Sequence, residues 1–223
     1  MRKVQCVFDT IIDILGESVN LIYENYDDSI EIYEKNGLVT KVFRRISDNE
    51  NLNLLQYKEE YTNHIKAYGI SNKYMIPIVD SFYDESHNGC IIYPYLKTIK
   101  TREFQNRIED CIKIIIHYNN LNIYHIDTKI DNFLKNDNED FILHDFGLCY
   151  FLDNLDESTK TLIFHNQIRL LFTGWVKDNT FHLYSNIFNK YNIPYDLYDL
   201  PVNTMYRDKL FNELKKKLGL QIL

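Results

Sequence analysis

His125-Ile126-Asp127-Thr128-Lys129-Ile130-Asp131-Asn132, followed downstream by Asp145-Phe146-Gly147, sets a carboxylate, an ammonium and two further oxygen donors at fixed intervals. Asn132 and Asp145 offer hard oxygens of the kind Mg²⁺ prefers. The chain between them alternates in a way that suits a hairpin. Phe133-Leu134 and Phe141-Ile142-Leu143 are short apolar runs, and Lys135-Asn136-Asp137-Asn138-Glu139-Asp140 is rich in residues that hydrogen-bond their own backbone. Closing that turn brings Asn132 and Asp145 towards one another. Gly147 is expected to free the chain to swing away from the metal, with Phe146 packed inward beneath it. An isolated D-F-G is a weak signal; its order and spacing after H-x-D-x-K-x-x-N make the pair specific.

These residues resemble the eukaryotic-like protein kinase superfamily, whose catalytic loop reads H-R-D-x-K-x-x-N and whose metal loop reads D-F-G. The resemblance implies an α+β, protein-kinase-like bilobal fold: a small amino-terminal lobe over 1–96, a β-sheet with one helix, and a reduced, mostly helical carboxy-terminal lobe over 97–223. It also implies ATP and Mg²⁺ as cofactors. Asp127 would accept a hydrogen bond from the substrate hydroxyl, aiming it and taking its proton late in the reaction. Lys129 would neutralise charge on the transferring phosphate, as the matching lysine does in Ser/Thr-directed kinases. Asn132 and Asp145 would hold the metal.

The same resemblance assigns an amino-terminal strand lysine to the α- and β-phosphates. Leu38-Val39-Thr40-Lys41-Val42-Phe43, entered through Lys35-Asn36-Gly37, has the β-branched and aromatic make-up of that strand, so Lys41 is the candidate. Arg44 and Arg45 lie past the apolar run and are expected to face solvent. A helix over 53–68 follows, with Leu54, Tyr61, Ile65 and Tyr68 at helical spacing towards the core. Glu59 and Glu60 both lie on it; Glu60 fits the family distance better as partner of Lys41, although adjacent positions point about a hundred degrees apart. Ile91-Ile92-Tyr93-Pro94-Tyr95-Leu96 matches the strand and hinge, with backbone groups of Pro94, Tyr95 and Leu96 on the adenine and Tyr93 setting the depth of the pocket. The phosphate-covering loop departs from the family. Only Gly16 remains in Ile14-Leu15-Gly16-Glu17-Ser18-Val19-Asn20-Leu21-Ile22-Tyr23, and the alternative clamp, Asn25-Tyr26-Asp27-Asp28-Ser29, carries two carboxylates that would repel nucleotide.

Beyond the hinge, Phe104, Ile108, Cys111, Ile112, Ile115 and Ile116 give a helix over 102–119 a wide apolar face. Only 76 residues follow Gly147, and a trimmed second lobe is the expectation. No A-P-E closes an activation segment. The helix over 164–172 lacks the aspartate that braces the catalytic loop in the family, with Asn166 the substitute. Ile126 replaces the arginine that grips an activation-loop phosphate, so switching through Ser158, Thr159 or Thr161 is not expected. A short helix over 184–191 and a last one over 206–218 complete the pattern; Lys215, Lys216 and Lys217 on the latter suit its dipole.

A net charge of −7 and 45% hydrophobic residues describe a chain with a real core and no basic face for nucleic acid. Cys6, Cys90, Cys111 and Cys149 form no C-x-x-C pair and read as reduced, with Cys149 a buried thiol. Asp9 and Asp13 interrupt the apolar amino terminus, which argues against a signal peptide or membrane segment. The expected protein is cytoplasmic, or in the host cytoplasm if it is a viral or bacterial effector. Its implied partner is a protein substrate, a host protein in that case. Three functions stay open: a minimal Ser/Thr protein kinase, which leads; a silent pseudokinase scaffold; and a small-molecule kinase of the aminoglycoside or choline type.

Overall fold

The computed structural model describes residues 20–25, 30–44, 52–83, 89–172, 184–193 and 216. The chain divides into two compact units, Met1–Lys97 with His144–Gly147, and Thr98–Leu143 with Leu148–Leu223. Gly16, most of the alternative clamp at 26–29, Arg45, Cys6 and all of the last helix except the exposed, helical Lys216 lie outside the described residues.

The first unit is built on an antiparallel five-stranded sheet in the order β1-β2-β3-β5-β4. Its strands are β1 (Asn20–Asn25), β2 (Ile30–Lys35), β3 (Leu38–Phe43), β4 (Asp80–Tyr83) and β5 (Gly89–Pro94). Asn36 and Gly37 take φ values of 51° and 78°, and Lys35 pairs with Leu38. This is the two-residue hairpin in which both turn residues need positive φ, a demand that Asn-Gly meets at low cost. β3 lies between β2 and β5, which buries Thr40, Lys41, Val42 and Phe43.

Helix α1 (Leu52–Ile70) packs on β3 and β5. Its buried face is Tyr57, Glu60, His64 and Ala67. The expected face is wrong by roughly a third of a turn: Ile65 and Tyr68 are exposed, and Leu54 and Tyr61 are only partly covered. The cause is chemical. Two of the four inward positions carry a carboxylate and an imidazole, so the apolar period points elsewhere.

Tyr57 fixes how α1 meets β5. A Cβ on Gly89 would lie 2.3 Å from Tyr57 Cγ and 2.7 Å from its Cβ. Those atoms sit at the base of the side chain, and no rotation about χ2 removes them. Gly89→Ala is therefore expected to destabilise the fold by about 1–3 kcal/mol, the usual cost of overpacking, measurable by urea denaturation. Gly147→Ala is the contrast. Its Cβ would meet neighbours at 3.6–3.8 Å, ordinary contact distances, and a loss as large as that at Gly89 would overturn this account.

β6 (Lys97–Thr98) carries the chain into the second unit. Helix α2 (Thr101–Asn119) buries Phe104, Ile108, Cys111, Ile112, Ile114, Ile115 and Tyr118. Ile and Tyr are indifferent helix formers, each costing up to about 0.7 kcal/mol against alanine. Burying such a side chain returns roughly 1.5–3 kcal/mol, so packing decides the conformation. The helix kinks at Arg107 (φ −128°, ψ 21°). The Arg107 guanidinium lies over Phe141 at 4.2 Å and donates to the Glu139 carbonyl at 2.7 Å, which ties the kink to the hairpin of β8 and β9.

Strand β7 (Ile123–His125) leads into the loop that carries Asp127 and pairs antiparallel with β10 (Cys149–Phe151). Between them, β8 (Phe133–Lys135) and β9 (Phe141–Leu143) form the expected hairpin in the register Phe133 to Leu143. Asn136 closes its turn: its N–H donates to the Asp140 carbonyl at 3.1 Å, and its side-chain oxygen accepts from the Asp140 N–H at 2.9 Å. Helix α3 (Glu157–Leu171) starts on Asp156, which accepts from the Thr159 N–H at 2.8 Å and the Ser158 hydroxyl at 2.6 Å. Helix α4 (Ser185–Lys190) follows, with Phe188 buried. Cys90, Cys111 and Cys149 are buried and form no disulfide. No helix among the described residues is long and apolar enough to cross a membrane.

Candidate active site

In the first unit, Lys41 holds the centre of a charged cluster. Its ammonium is 2.6 Å from Glu60 Oε2 and 3.2 Å from Asp145 Oδ1. Glu60, 3% exposed, is the neighbour of Lys41, while Glu59 on the adjoining helical position is exposed. Burial alone would lower the Lys41 pKa; Asp145 and Glu60 outweigh it and lift the ammonium above the ordinary lysine range. Burial pushes the Glu60 carboxyl up to about 7, with Lys41 pulling it back down and Asp145 adding to the rise. The ammonium stays charged at neutral pH, as a phosphate-binding cation must.

Asp145, not Gly147, carries the unusual backbone, with φ 62°. Gly147 has no positive φ, so it does not make the swing in chain direction expected of it. An aspartate tolerates the left-handed region better than most residues, and here that conformation presents its carboxylate to Lys41. Phe146 is fully buried as expected, edge-on to His64 with ring centres 5.3 Å apart, and its carbonyl accepts from Asn63 Nδ2 at 3.2 Å.

His64 was not foreseen, although it lies one turn beyond Glu60. Its Nε2 donates to the Ile76 carbonyl at 2.7 Å; a carbonyl can only accept, so that nitrogen carries the proton. Nδ1 is buried without a partner, and burial holds the ring pKa down to about 4. A histidine depressed from about 6.5 supports stability above that value and withdraws it as pH falls towards 4, an effect of about 3 kcal/mol at most. Glu60, with its pKa raised, acts in the opposite sense over part of the same window. The difference between wild type and His64→Leu isolates the histidine. The expected result is that the variant's melting temperature falls less between pH 7 and pH 4.5; equal slopes would show that His64 does not resist protonation.

Arg44 does not face solvent. It pairs with the buried Glu31 and donates to the Tyr33 hydroxyl at 2.9 Å. A buried carboxylate on β2 needs a cation, and Arg44, just past β3, is within reach. The stretch expected to meet the adenine through its backbone is Pro94, Tyr95 and Leu96. Pro94 has no N–H and that of Tyr95 donates to the Gly37 carbonyl at 2.7 Å, so a base edge in this stretch would find its N–H donor at Leu96.

In the second unit, Asp127 is 7% exposed and its two oxygens have different surroundings. Oδ2 accepts from Asn132 Nδ2 at 3.0 Å and faces Lys129 Nζ at 2.9 Å, whereas Oδ1 is buried with no partner. Asn132 Nδ2 also donates to the Asp127 carbonyl at 2.6 Å. Both partners are acceptors, so the amide nitrogen must point at them and the amide oxygen is left for a cation.

The loop that carries Asp127 is braced by Gln167, not by Asn166. Gln167 Nε2 donates to the His125 carbonyl at 3.0 Å and its amide pairs with that of Asn119, while the Thr128 hydroxyl donates to the Gln167 carbonyl at 2.6 Å. Asn166 instead accepts from Arg169 at 3.2 Å. The two are neighbours on α3, and only the helix rotation tells them apart. Ile126, where the family has arginine, is fully buried with Tyr124 and Ile163 under Leu148, Tyr150, Leu152 and Leu155.

No protein-family model matches the chain, and no curated protein matches it in sequence. Its structure is similar to a high-resolution crystal structure of WbdD, with a TM-score of 0.50 and 14% identity over 90% of this chain and 46% of that one. The fold is kinase-like. A second WbdD structure, described as that of a bifunctional kinase-methyltransferase, aligns at 14% identity with a TM-score of 0.49 over 87% of this chain and 43% of that one. The chain thus spans just under half the length of the WbdD chains it matches.

The residues fit the groups that a kinase-like fold implies. Lys41 is a charged, buried cation suited to phosphate oxygens, and Asp145 and the Asn132 amide oxygen are hard donors suited to Mg²⁺. Among the described residues no group of three His, Cys, Asp or Glu side chains forms a metal centre of protein ligands alone.

Proposed function

We propose that the protein is an ATP-dependent phosphotransferase acting on an alcohol, with Mg²⁺ as its second cofactor. One observation carries this reading: the partnerless, buried Oδ1 of Asp127 beside an Oδ2 held by Asn132 and Lys129. Burying an oxygen without a hydrogen bond costs about 1–3 kcal/mol, a cost that makes sense where a substrate hydroxyl is the missing donor. Asp127 aims that hydroxyl and takes its proton; Lys129 screens the transferring phosphate. Lys41, held by Glu60, aligns the phosphates. Mg²⁺, when bound, neutralises phosphate charge, and Asn132 and Asp145 are its protein ligands.

The acceptor we favour is a serine or threonine of a protein, because Lys129 stands beside Asp127 as in Ser/Thr-directed kinases. The protein would act in the cytoplasm, the host's in the case of an effector, without nucleic acid or membrane as partner. One feature favours a second reading, a small-molecule acceptor. After the D-F-G the chain is committed almost at once: β10 pairs with β7, the Leu152 N–H donates to the Asn122 carbonyl at 3.2 Å, Asn122 Nδ2 donates to Asp153 at 3.1 Å, and α3 begins at Glu157. Little of that stretch is left over to cradle an extended peptide.

Purified protein with γ-labelled ATP and Mg²⁺, offered a cell lysate in one arm and aminoglycosides, choline and sugars in another, separates the readings. Label on seryl or threonyl residues supports the first, and label only on a small alcohol the second. Thermal stabilisation by nucleotide with no transfer to anything would overturn both in favour of a scaffold.

A further inference from the structure

Both oxygens of the Glu60 carboxylate are held. Oε2 faces Lys41 at 2.6 Å, and Oε1 accepts from the Tyr93 hydroxyl at 3.2 Å. Tyr93 is 7% exposed on β5, where its backbone pairs with Val39 of β3. Its phenol is held well above the usual range, by burial first and then by Glu60, so it remains a donor. Two further bonds tie the same helix face: Asn63 to the Phe146 carbonyl at 3.2 Å and His64 to the Ile76 carbonyl at 2.7 Å. The His64 ring lies 5.6 Å from that of Tyr93. Helix α1 is thus anchored on its inner face by bonds made entirely within its own unit.

We propose that Tyr93 is a positioning residue: its hydroxyl holds the second oxygen of Glu60, so that α1 stays engaged with the sheet and Lys41 stays presented without an activating partner or a modification. A carboxylate gripped at one oxygen can pivot about that contact. Gripped at both, by donors on two neighbouring strands, it cannot turn without breaking a bond to a buried charge. The ring of Tyr93 fills space, but only the hydroxyl provides this second grip. The contribution to turnover rests on the phosphotransferase reading; the anchoring of α1 does not.

Tyr93→Phe removes the oxygen and keeps the ring, so it is expected to fold. Hydrogen–deuterium exchange without nucleotide should show the α1 amides exchanging at least about fivefold faster than in wild type, with the β2–β3 hairpin unchanged. In transfer assays kcat/KM should fall about tenfold, a typical consequence of losing a hydrogen bond to a charged group. Glu60→Gln provides the cross-check. Its amide must turn the oxygen to Lys41, leaving an N–H that the Tyr93 hydroxyl can accept only as a neutral bond, so removing the hydroxyl in that background should change kcat/KM by no more than about threefold. Exchange of α1 within twofold of wild type, or losses that multiply across the double variant, would overturn the proposal. An inactive wild type would sink the phosphotransferase reading alone, and the exchange comparison would still decide the role of Tyr93.

Discussion

Replacing Asp127 by alanine is expected to lower kcat by about 10³-fold, within the range for removing a general base, while nucleotide affinity changes less than about threefold. The asymmetry follows from what each group holds. In the proposed reading, affinity rests on Lys41 and the metal ligands, whereas Asp127 Oδ1 serves the acceptor hydroxyl. The fold should tolerate the change. Lys129 is already partly exposed and can turn to water, and Asn132 keeps its bond to the Asp127 carbonyl; the stability loss should stay near 1 kcal/mol, the worth of one hydrogen bond. Single-turnover transfer with titration of a fluorescent nucleotide checks both parts. A variant that keeps activity within tenfold of wild type would remove Asp127 from its assigned role.

Lys41→Met should be the most destabilising of the site substitutions, and its cost should depend on pH. Removing the ammonium leaves Glu60 buried without a cation and with Asp145 for a neighbour. Breaking a buried pair in this way costs about 3–5 kcal/mol when the orphan stays charged. Glu60 can escape by protonation, because its pKa, already raised by burial, rises further without Lys41. A carboxyl raised in the folded state keeps its stability below the unfolded pKa and loses it as pH climbs. The variant should therefore approach wild-type stability near pH 5 and fall well below it at pH 8. Urea denaturation at both values tests this, and Lys41→Met with Glu60→Gln should recover most of the loss at pH 8. A penalty independent of pH would mean that the pair is not held as described.

The two groups of candidate residues were unequally visible in the chain. Asp127, Lys129 and Asn132 fall within six residues, and their mutual contacts are local: a loop this short leaves few ways to arrange them. Lys41 and Glu60 are 19 positions apart, and their meeting depends on how α1 rotates on the sheet. There the apolar pattern misled, since Glu60 and His64 occupy the inward face while Ile65 and Tyr68 look out. Gln167 stayed hidden for the same reason.

By itself the sequence determined the elements and their order: the Asn-Gly hairpin, the hairpin closed by Asn136, the apolar helix α2, and the two loops that carry Asp127 and Asp145. These follow from φ preferences, local hydrogen bonding and short-range periodicity, which act over a few residues. Only the tertiary structure decided which carboxylate Lys41 meets, that Tyr93 grips its other oxygen, that Arg44 turns inward to Glu31, and that Gln167 braces the loop. Each of these pairings joins side chains distant in the chain, and the energy that selects it, the cost of burying a charge or polar group unpartnered, exists only once the core has closed around it.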